Sequence, residues 1–207
     1  MSWRRQMLLA TTNPGKIAEI RAALAGLDLE LKTLRDVSGY QPPAETASTF
    51  WENALLKARA AFAATGWPAL ADDSGLEVDA LGGAPGVHSA RFGGDGLTDA
   101  DRCRLLLERL EGVPMKQRTA RFRAVLALCR PDAPPTYFEG TLEGWIGWEP
   151  KGHGGFGYDP VFYLRDDRGR FLDRALAELS RDEKNAISHR GQALRRLRAA
   201  LERWLAD

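Results

Sequence analysis

Two adjacent aspartates, Asp72 and Asp73, are the residues whose type and position most directly suggest chemistry. They follow the apolar run 69–71, which we predict to be a buried strand, and they precede Ser74 and Gly75. Carboxylates at the end of a strand lie where α/β sheets commonly bind their ligands. Because neighbouring side chains of an extended chain point to opposite faces, only one of the pair is expected to face a given site. The alternative is that both are turn residues.

A loop that opens a predicted helix is the second candidate, because backbone N–H groups at a helix start attract phosphate and a lysine adds positive charge. Its residues are Thr11, Thr12, Asn13, Pro14, Gly15 and Lys16. The loop is not a Walker A motif, since no glycine stands five positions before Gly15 and Ile17 replaces the Ser or Thr that would hold magnesium. The alternative is a plain turn around Asn13, Pro14 and Gly15.

Glu45 precedes the second predicted helix and is a candidate ligand for a hard cation. Magnesium on a nucleotide usually takes only one or two protein carboxylates, together with phosphate oxygens. Glu45 and one of the two aspartates could supply them. Taken alone, Glu45 is equally consistent with a solvated surface acid.

A third group combines hydrogen-bond donors near a helix boundary with a glycine-rich loop. The donors are Lys184, Ser188, His189 and Arg190, and the loop residues are Phe156, Gly157, Tyr158 and Asp159. An aromatic face beside several donors suits a nucleobase. The alternative is a solvated helix face for the cations and a packing role for His189.

Apolar periodicity and capping residues predict the elements that hold these groups. Strands are predicted at Met7–Ala10, 69–71, Thr119–Cys129, Tyr137–Trp148 and Val161–Leu164. A helical pattern follows Lys16 and runs through Leu24. Further helices are predicted after Thr49 with Glu52, after Thr98 with Asp101, after Ser180 with Glu183, and over Ala193–Leu205. The early strand–helix connections favour parallel pairing, and the turn at 131–135 favours an antiparallel hairpin. Together they predict a mixed α/β sheet in one domain over 1–207.

Composition excludes several classes of protein. With 44% hydrophobic and 28% charged residues among 207, the chain can bury a core, and its apolar runs are far shorter than the roughly 20 residues of a membrane-spanning helix. A net charge of +1 gives no overall attraction to nucleic acid or lipid. The two cysteines lack zinc-site spacing and are expected to be reduced and structural. We therefore expect a cytoplasmic protein without membrane or nucleic-acid partners.

Five ordered blocks carry a resemblance that spans nearly the whole chain. They are TTNPGK at 11–16, ETASTFWENALLKA at 45–58, ADDSGLEVDALGGAPGVHSARF at 71–92, GGFGYDP at 154–160 and KNAISHRGQAL at 184–194. With these blocks the chain resembles the inosine triphosphate pyrophosphatase family. Those enzymes hydrolyse noncanonical purine nucleoside triphosphates (ITP, dITP and XTP) to the monophosphate and pyrophosphate.

The resemblance implies a fold and a set of roles. The fold would be an elongated mixed central sheet with flanking helices, in two lobes around a nucleotide cleft, and the protein a homodimer. Thr11 to Lys16 would bind the triphosphate, Glu45 and Asp73 would hold Mg²⁺, and Asp73 would also accept the proton of the attacking water. Ser74 would touch the substrate. The purine would be recognised by Phe156, Gly157, Tyr158, Asp159, Lys184, His189 and Arg190.

Selection of the base follows from donors meeting a 6-keto oxygen, because adenine presents an amino donor at that position. Adenine nucleotides are therefore expected to be poor substrates.

Two other functional classes remain open from the residues. Paired aspartates also suit a phosphatase with an aspartate nucleophile, which releases inorganic phosphate. The last predicted helix carries four arginines that suggest nucleic-acid binding: Arg195, Arg196, Arg198 and Arg203. That helix also has an apolar stripe, so we interpret the arginines as its solvated face.

Overall fold

The computed structural model describes residues 5–206. The strands are β1 (Gln6–Leu9), β2 (Glu30–Thr33), β3 (Ala69–Val78), β4 (Thr119–Arg130), β5 (Ala133–Ile146), β6 (Phe162–Arg165) and β7 (Phe171–Ala175). They form one seven-stranded sheet in the order β2-β1-β3-β4-β5-β6-β7. The helices are α1 (Pro14–Ala23), α2 (Phe50–Thr65), α3 (Asp99–Arg109), α4 (Arg181–Ile187) and α5 (His189–Ala206).

The pairing of the strands confirms the predicted mixed α/β sheet. Strand β1 pairs in parallel with β2 and β3, while β6 pairs antiparallel with β5 and β7. Only residues 131–132 separate β4 from its neighbour β5. So short a connection can join only antiparallel strands, so the predicted hairpin is confirmed as well.

The chain divides into two compact units. Of the described residues, unit 1 takes those up to Asp73, Ala124–Gly140 and those from Arg190 onward, and unit 2 takes Ser74–Arg123 and Thr141–His189. Strand β3 passes from unit 1 to unit 2 after Asp73. The chain returns from unit 2 to unit 1 between His189 and Arg190.

The core of unit 1 is built from strand residues and from the apolar stripe of α5. Met7, Leu9, Leu70 and Leu126 come from β1, β3 and β4, and the predicted stripe of α5 packs against them. That stripe consists of Leu194, Leu197, Leu201 and Trp204. The exposed side of the same helix carries Arg195, Arg196 and Arg203, as the amphipathic pattern predicts.

The core of unit 2 lies between α3 and strand residues of that unit. Cys103, Leu106 and Leu110 of the α3 region pack with residues such as Phe122 and Phe162. Both Cys103 and Cys129 are buried and free, which agrees with the predicted structural role.

Helix starts are where the capping residues indicate. The hydroxyls of Thr49, Thr98 and Ser180 each accept a hydrogen bond from the backbone N–H three residues later. At Thr98 the reciprocal bond is also made, because Asp101 accepts from the Thr98 backbone N–H at 3.0 Å. At Thr49 the carboxylate of Glu52 accepts from the hydroxyl instead, at 2.8 Å.

Four sequence predictions need correction. Strand β3 continues through the aspartates to Val78, so Asp72 and Asp73 are strand residues and neither ends a strand nor forms a turn. The cause is the alternation of the fully buried Leu76 and Val78 beyond the turn-like Ser74 and Gly75.

The other three corrections concern element boundaries. Helix α1 begins at Pro14, within the predicted loop, because Asn13 caps it there. Strand β5 begins at Ala133 and includes Pro134 and Pro135, which the extended backbone tolerates at the start of a strand. The final helix begins at His189, four residues before the predicted start.

Among residues 5–206, no helix is both long enough and apolar enough to span a membrane.

Candidate active site

The first group of predicted residues meets on β3 within unit 1. The Asp72 side chain is fully buried and pairs with Lys16 and with Arg190, whose Nε donates to Asp72 Oδ2 at 2.8 Å. The neighbouring Asp73 instead accepts from Lys57 Nζ through Oδ1 at 3.1 Å. The two aspartates therefore have different cationic partners, as alternation along a strand requires.

Lys57 links the predicted acids and was missed by the sequence analysis. Its Nζ donates to Glu45 Oε1 at 2.7 Å, to the Asp72 carbonyl at 2.8 Å and to Asp73 Oδ1 at 3.1 Å. The lysine lies on the buried face of α2 with Ala54, Ala58 and Ala61. A lysine in an otherwise alanine-rich buried stripe was the signal that could have found it, because an unpaired lysine is rarely buried.

The loop before α1 is organised by a side-chain cap. Asn13 Oδ1 accepts from the Lys16 backbone N–H at 3.1 Å, and Thr11 Oγ1 accepts from the Asn13 N–H at 3.2 Å. Pro14 is the first residue of the helix, a position whose N–H has no helical partner in any case. The cap directs Lys16 towards β3, and the lysine ammonium pairs with the Asp72 carboxylate.

Arg190 lies in this charged group, at the start of α5. Besides Asp72 it binds Glu19 of α1, with 2.7 Å from Nη1 to Oε2, and its side chain is only 3% exposed. Glu19 was a second residue missed by the sequence analysis. We call the seven residues the charge group: Lys16, Glu19, Glu45, Lys57, Asp72, Asp73 and Arg190.

Burial and charge shift the pKa values within the charge group in opposite directions. For Asp72, burial alone raises the pKa, but Arg190 and Lys16 outweigh it and hold the pKa well below its ordinary value. For Asp73, burial raises the pKa despite the opposing charges of Lys57 and Lys16. For Lys16, burial of the ammonium lowers the pKa despite the opposing charge of Asp72. Asp72 is thus a fixed anion, whereas Asp73 has more affinity for a proton than an exposed aspartate.

The donor atoms of the charge group fit a hard divalent cation. Asp73 Oδ2 is buried, and nothing in residues 5–206 donates a hydrogen bond to it. Glu45 shares the Lys57 ammonium with Asp73, so both carboxylates face the same point. Two carboxylate oxygen donors match the one or two that Mg²⁺ usually takes from a protein. Within the described chain there is no cluster of three or more His, Cys, Asp or Glu that could hold a metal.

The second group of predicted residues meets within unit 2 on the recognition loop, which we define as residues 154–160. Asp159 Oδ2 accepts from the Phe156 backbone N–H at 2.9 Å and from Lys184 Nζ at 2.7 Å. Lys184 Nζ also lies 4.6 Å from the centre of the Phe156 ring. A side chain at Gly155, whose φ is +73°, would collide with Asp159, so glycine is required there.

The remaining predicted residues of unit 2 anchor the loop and its surroundings. Tyr158 is buried, and its hydroxyl donates to the Ser89 carbonyl at 2.8 Å, so its side chain serves the core. The His189 ring is buried and stacks on Phe122 with 4.8 Å between centroids. Ser74 is half-buried within β3. Neither Ser89 nor Phe122 was singled out from the sequence.

The structure therefore gathers the predicted residues into two groups, each within one unit. The charge group holds Lys16, Glu45, Asp73 and Arg190. The recognition loop and Lys184 form the other group.

Comparison with known proteins gives consistent matches over almost the whole chain. The model of the Ham1 family matches residues 7–200. The dITP/XTP pyrophosphatase of Geobacillus kaustophilus is 51% identical over 193 residues, which cover 93% of this chain and 92% of that protein. The dITP/XTP pyrophosphatase of Thermus thermophilus is 50% identical over 192 residues, covering 93% and 89%.

A solved structure agrees with these matches. The structure of a HAM1 protein from Coxiella burnetii has a TM-score of 0.86 and 45% sequence identity, and the match covers 96% of this chain and 98% of that one. The family resemblance inferred from the five sequence blocks is thereby confirmed. This chain belongs to the Ham1 family.

Proposed function

We propose that this protein hydrolyses noncanonical purine nucleoside triphosphates, dITP, ITP and XTP, to the monophosphate and pyrophosphate. Relatives about half identical to it are dITP/XTP pyrophosphatases. The observation that carries the proposal is the junction at Lys57, where one ammonium joins Glu45 and Asp73 while Asp73 Oδ2 accepts no hydrogen bond from the described residues.

The charge group is proposed to bind the triphosphate together with Mg²⁺. It contains three cationic and four acidic side chains, so its lysines and arginine carry no positive excess for a polyanion. Glu45 and Asp73 would hold Mg²⁺, which supplies charge neutralisation to the phosphate oxygens when it is bound. Residues Thr11 to Lys16 would add backbone donors at the start of α1 and the Lys16 ammonium.

Asp73 is proposed as the group that accepts the proton of the attacking water. Burial raises its pKa, so it is a stronger base than an exposed aspartate. Attack on phosphorus breaks the anhydride bond between the α and β phosphates, and the pyrophosphate leaves with the bridging oxygen. Ser74, the next residue on β3, would contact the substrate beside it.

The recognition loop is proposed to bind the purine. Phe156 would stack on the base, and Lys184 or His189 would donate to the 6-keto oxygen, which adenine replaces with an amino donor. Gly157, Tyr158 and Asp159 would shape this side of the base. Arg190 would join them in recognising the purine, as the resemblance implies, and its ion pairs with Asp72 and Glu19 would also orient the charge group.

A phosphatase with an aspartate nucleophile is disfavoured by the state of Asp72. That side chain is fully buried and neutralised by Lys16 and Arg190, which makes it a poor nucleophile.

Product analysis tests the proposed function. The protein is incubated with dITP, XTP, dGTP and dATP, with and without MgCl₂, and pyrophosphate is assayed separately from phosphate. We expect magnesium-dependent release of pyrophosphate from dITP and XTP and little from dATP. Release of inorganic phosphate as the first product, or a trapped phospho-aspartate, contradicts the proposal.

We further propose, from the family resemblance, a cytoplasmic homodimer. Light scattering on the purified protein tests the dimer, for which a mass near twice 22.8 kDa is expected and a mass near 22.8 kDa is the contrary result.

A further inference from the structure

The two peptide groups that flank Gly157 are held from helix α3, outside the predicted site. The Gly157 backbone N–H donates to Asp99 Oδ2 at 2.7 Å, and the Gly157 carbonyl accepts from the Cys103 thiol at 3.4 Å. Asp99 and Cys103 lie one helical turn apart, on the same side of α3. Helix α3 therefore forms hydrogen bonds with the peptide groups on both sides of Gly157.

Gly157 is a position of the recognition loop that side-chain packing does not hold. Its φ is +62°, and a Cβ there would meet no atom within 4 Å. The neighbours on either side are anchored within unit 2, Phe156 through its N–H to Asp159 and Tyr158 through its hydroxyl to Ser89. One turn bond, from the Asp159 N–H to the Phe156 carbonyl at 3.3 Å, closes the loop over Gly157, and the contacts from α3 are the ones made to the Gly157 peptide groups themselves.

The chemistry of both contacts favours a stable hydrogen bond. A hydrogen bond to a carboxylate is about twice as strong as one between neutral groups. Burial, reinforced by the negative charges of Asp99 and Asp159, raises the pKa of the Cys103 thiol to about 12, so the thiol keeps its proton and remains a donor.

We propose that Asp99 and Cys103 are positioning residues that set the purine selectivity of the recognition loop. By fixing the Gly157 peptides they fix the direction of Phe156 and, through Asp159, the place of Lys184 relative to the base. This inference rests on the proposed function of the loop. It predicts that removing the hydrogen bonds from α3 to Gly157 weakens binding of the base and reduces the discrimination between purines. The rate of the chemical step at the charge group should be retained.

The test compares Asp99→Ala with Asp101→Ala, a matched removal of an acid from the same first turn of α3. Within the described chain Asp101 pairs with Thr98, which caps the helix, and with Arg104 of the same helix, so its loss reports destabilisation of α3. We expect Asp99→Ala to raise the KM for dITP about tenfold, as for loss of a charged hydrogen bond, with kcat changed far less. The ratio of kcat/KM for dITP over dGTP should fall with it.

Asp99→Asn keeps an acceptor oxygen and is expected to restore most of the KM and of the ratio. Cys103→Ser, which keeps a donor, should likewise have a KM for dITP and a dITP/dGTP ratio of kcat/KM closer to the wild-type values than Cys103→Ala has. The inference is overturned if Asp99→Ala keeps the wild-type KM and ratio, or if Asp101→Ala reproduces its losses.

A second measurement does not depend on activity. Amide hydrogen exchange at Gly157 in the full-length protein should be slow in the wild type and in Asp101→Ala, and fast in Asp99→Ala. Equal exchange rates of the Gly157 amide in Asp99→Ala and in the wild type would show that the hydrogen bond to Asp99 does not fix the loop, and would overturn the inference. If the wild type releases no pyrophosphate from dITP while the exchange result holds, the proposed function fails and the contact from α3 stands.

Discussion

The two groups of predicted site residues are held in place by different kinds of force. The charge group in unit 1 consists of buried or half-buried ion pairs from five separate parts of the chain: α1, the segment before α2, α2, β3 and α5. The recognition loop in unit 2 contains a single ion pair, the buried one between Asp159 and Lys184, and is otherwise held by hydrogen bonds to its own backbone, by Tyr158 and by α3. In the charge group each charge depends on another, whereas in the loop the contacts of Gly157 and Tyr158 can shift without leaving a charge buried alone.

This difference matches the two parts of the proposed substrate. A triphosphate is the same in every nucleotide, so its binding group can be rigid and fully paired. The base is what distinguishes one nucleotide from another, and small shifts of a loop alter which base fits. Changes in the charge group should therefore affect turnover or stability for all nucleotides, and changes at the loop should affect selectivity.

The largest effect is expected for Asp73→Asn. Removing the proposed proton acceptor should reduce kcat for dITP by about 10² to 10⁴ while the folded structure is retained. Steady-state pyrophosphate release gives kcat, and thermal unfolding reports the fold. Near-normal turnover in a folded variant would remove Asp73 from this role.

Asp72→Asn should act on stability, because it leaves Arg190 and Lys16 without their buried carboxylate. We expect a loss of about 3 kcal/mol in the free energy of unfolding at neutral pH. Urea titration measures it, with Asp28→Asn, which disrupts an exposed pair with Arg5, as the control.

The same variant has a pH signature. The pKa of Asp72 is depressed in the folded protein, so its contribution is complete above the ordinary aspartate pKa and is lost as the pH falls towards the folded value. The difference in the free energy of unfolding between wild type and Asp72→Asn should become smaller below about pH 4. A gap that stays constant down to pH 2 would contradict the role of the ion pairs.

Lys16→Ala should weaken triphosphate binding for every base. Loss of a charged contact predicts a rise in KM of about 30-fold for dITP, with kcat less affected. Lys32→Ala is the control, since Lys32 pairs with Glu30 outside the charge group. Unchanged saturation curves would contradict the phosphate assignment.

Phe156→Ala is expected to have the smallest effect, a rise of about tenfold in KM, because stacking on one base is worth roughly 1–3 kcal/mol. Phe171→Ala removes another aromatic ring of unit 2, stacked on Tyr163, and serves as the control. Equal KM values for Phe156→Ala and wild type would argue against stacking.

Much of the architecture could be predicted from the sequence, since alternation, capping residues and turn residues are local signals. The hairpin of β4 and β5, the three caps and the apolar stripe of α5 are such cases. The continuation of β3 was missed because Ser74 and Gly75 have the composition of a turn, and burial of Leu76 and Val78 overrides that local preference.

The partners within the site were harder to predict, because ion pairs depend on which distant segments meet. Lys57 was identifiable in principle as a charge in a buried alanine stripe, but Glu19 has no such signal. Arg190 is adjacent to His189 in sequence, yet its guanidinium belongs to the charge group and the His189 ring stacks on Phe122. Adjacent residues of a helix start point in different directions, which spacing alone could not resolve.

The most direct test of the division between the two groups is the ratio of kcat/KM for dITP over dATP in three proteins: wild type, Lys16→Ala and Lys184→Met. We predict that Lys16→Ala lowers both values and leaves the ratio unchanged, whereas Lys184→Met lowers the ratio itself by about tenfold or more. A ratio that falls equally in both variants, or only in Lys16→Ala, would contradict the account.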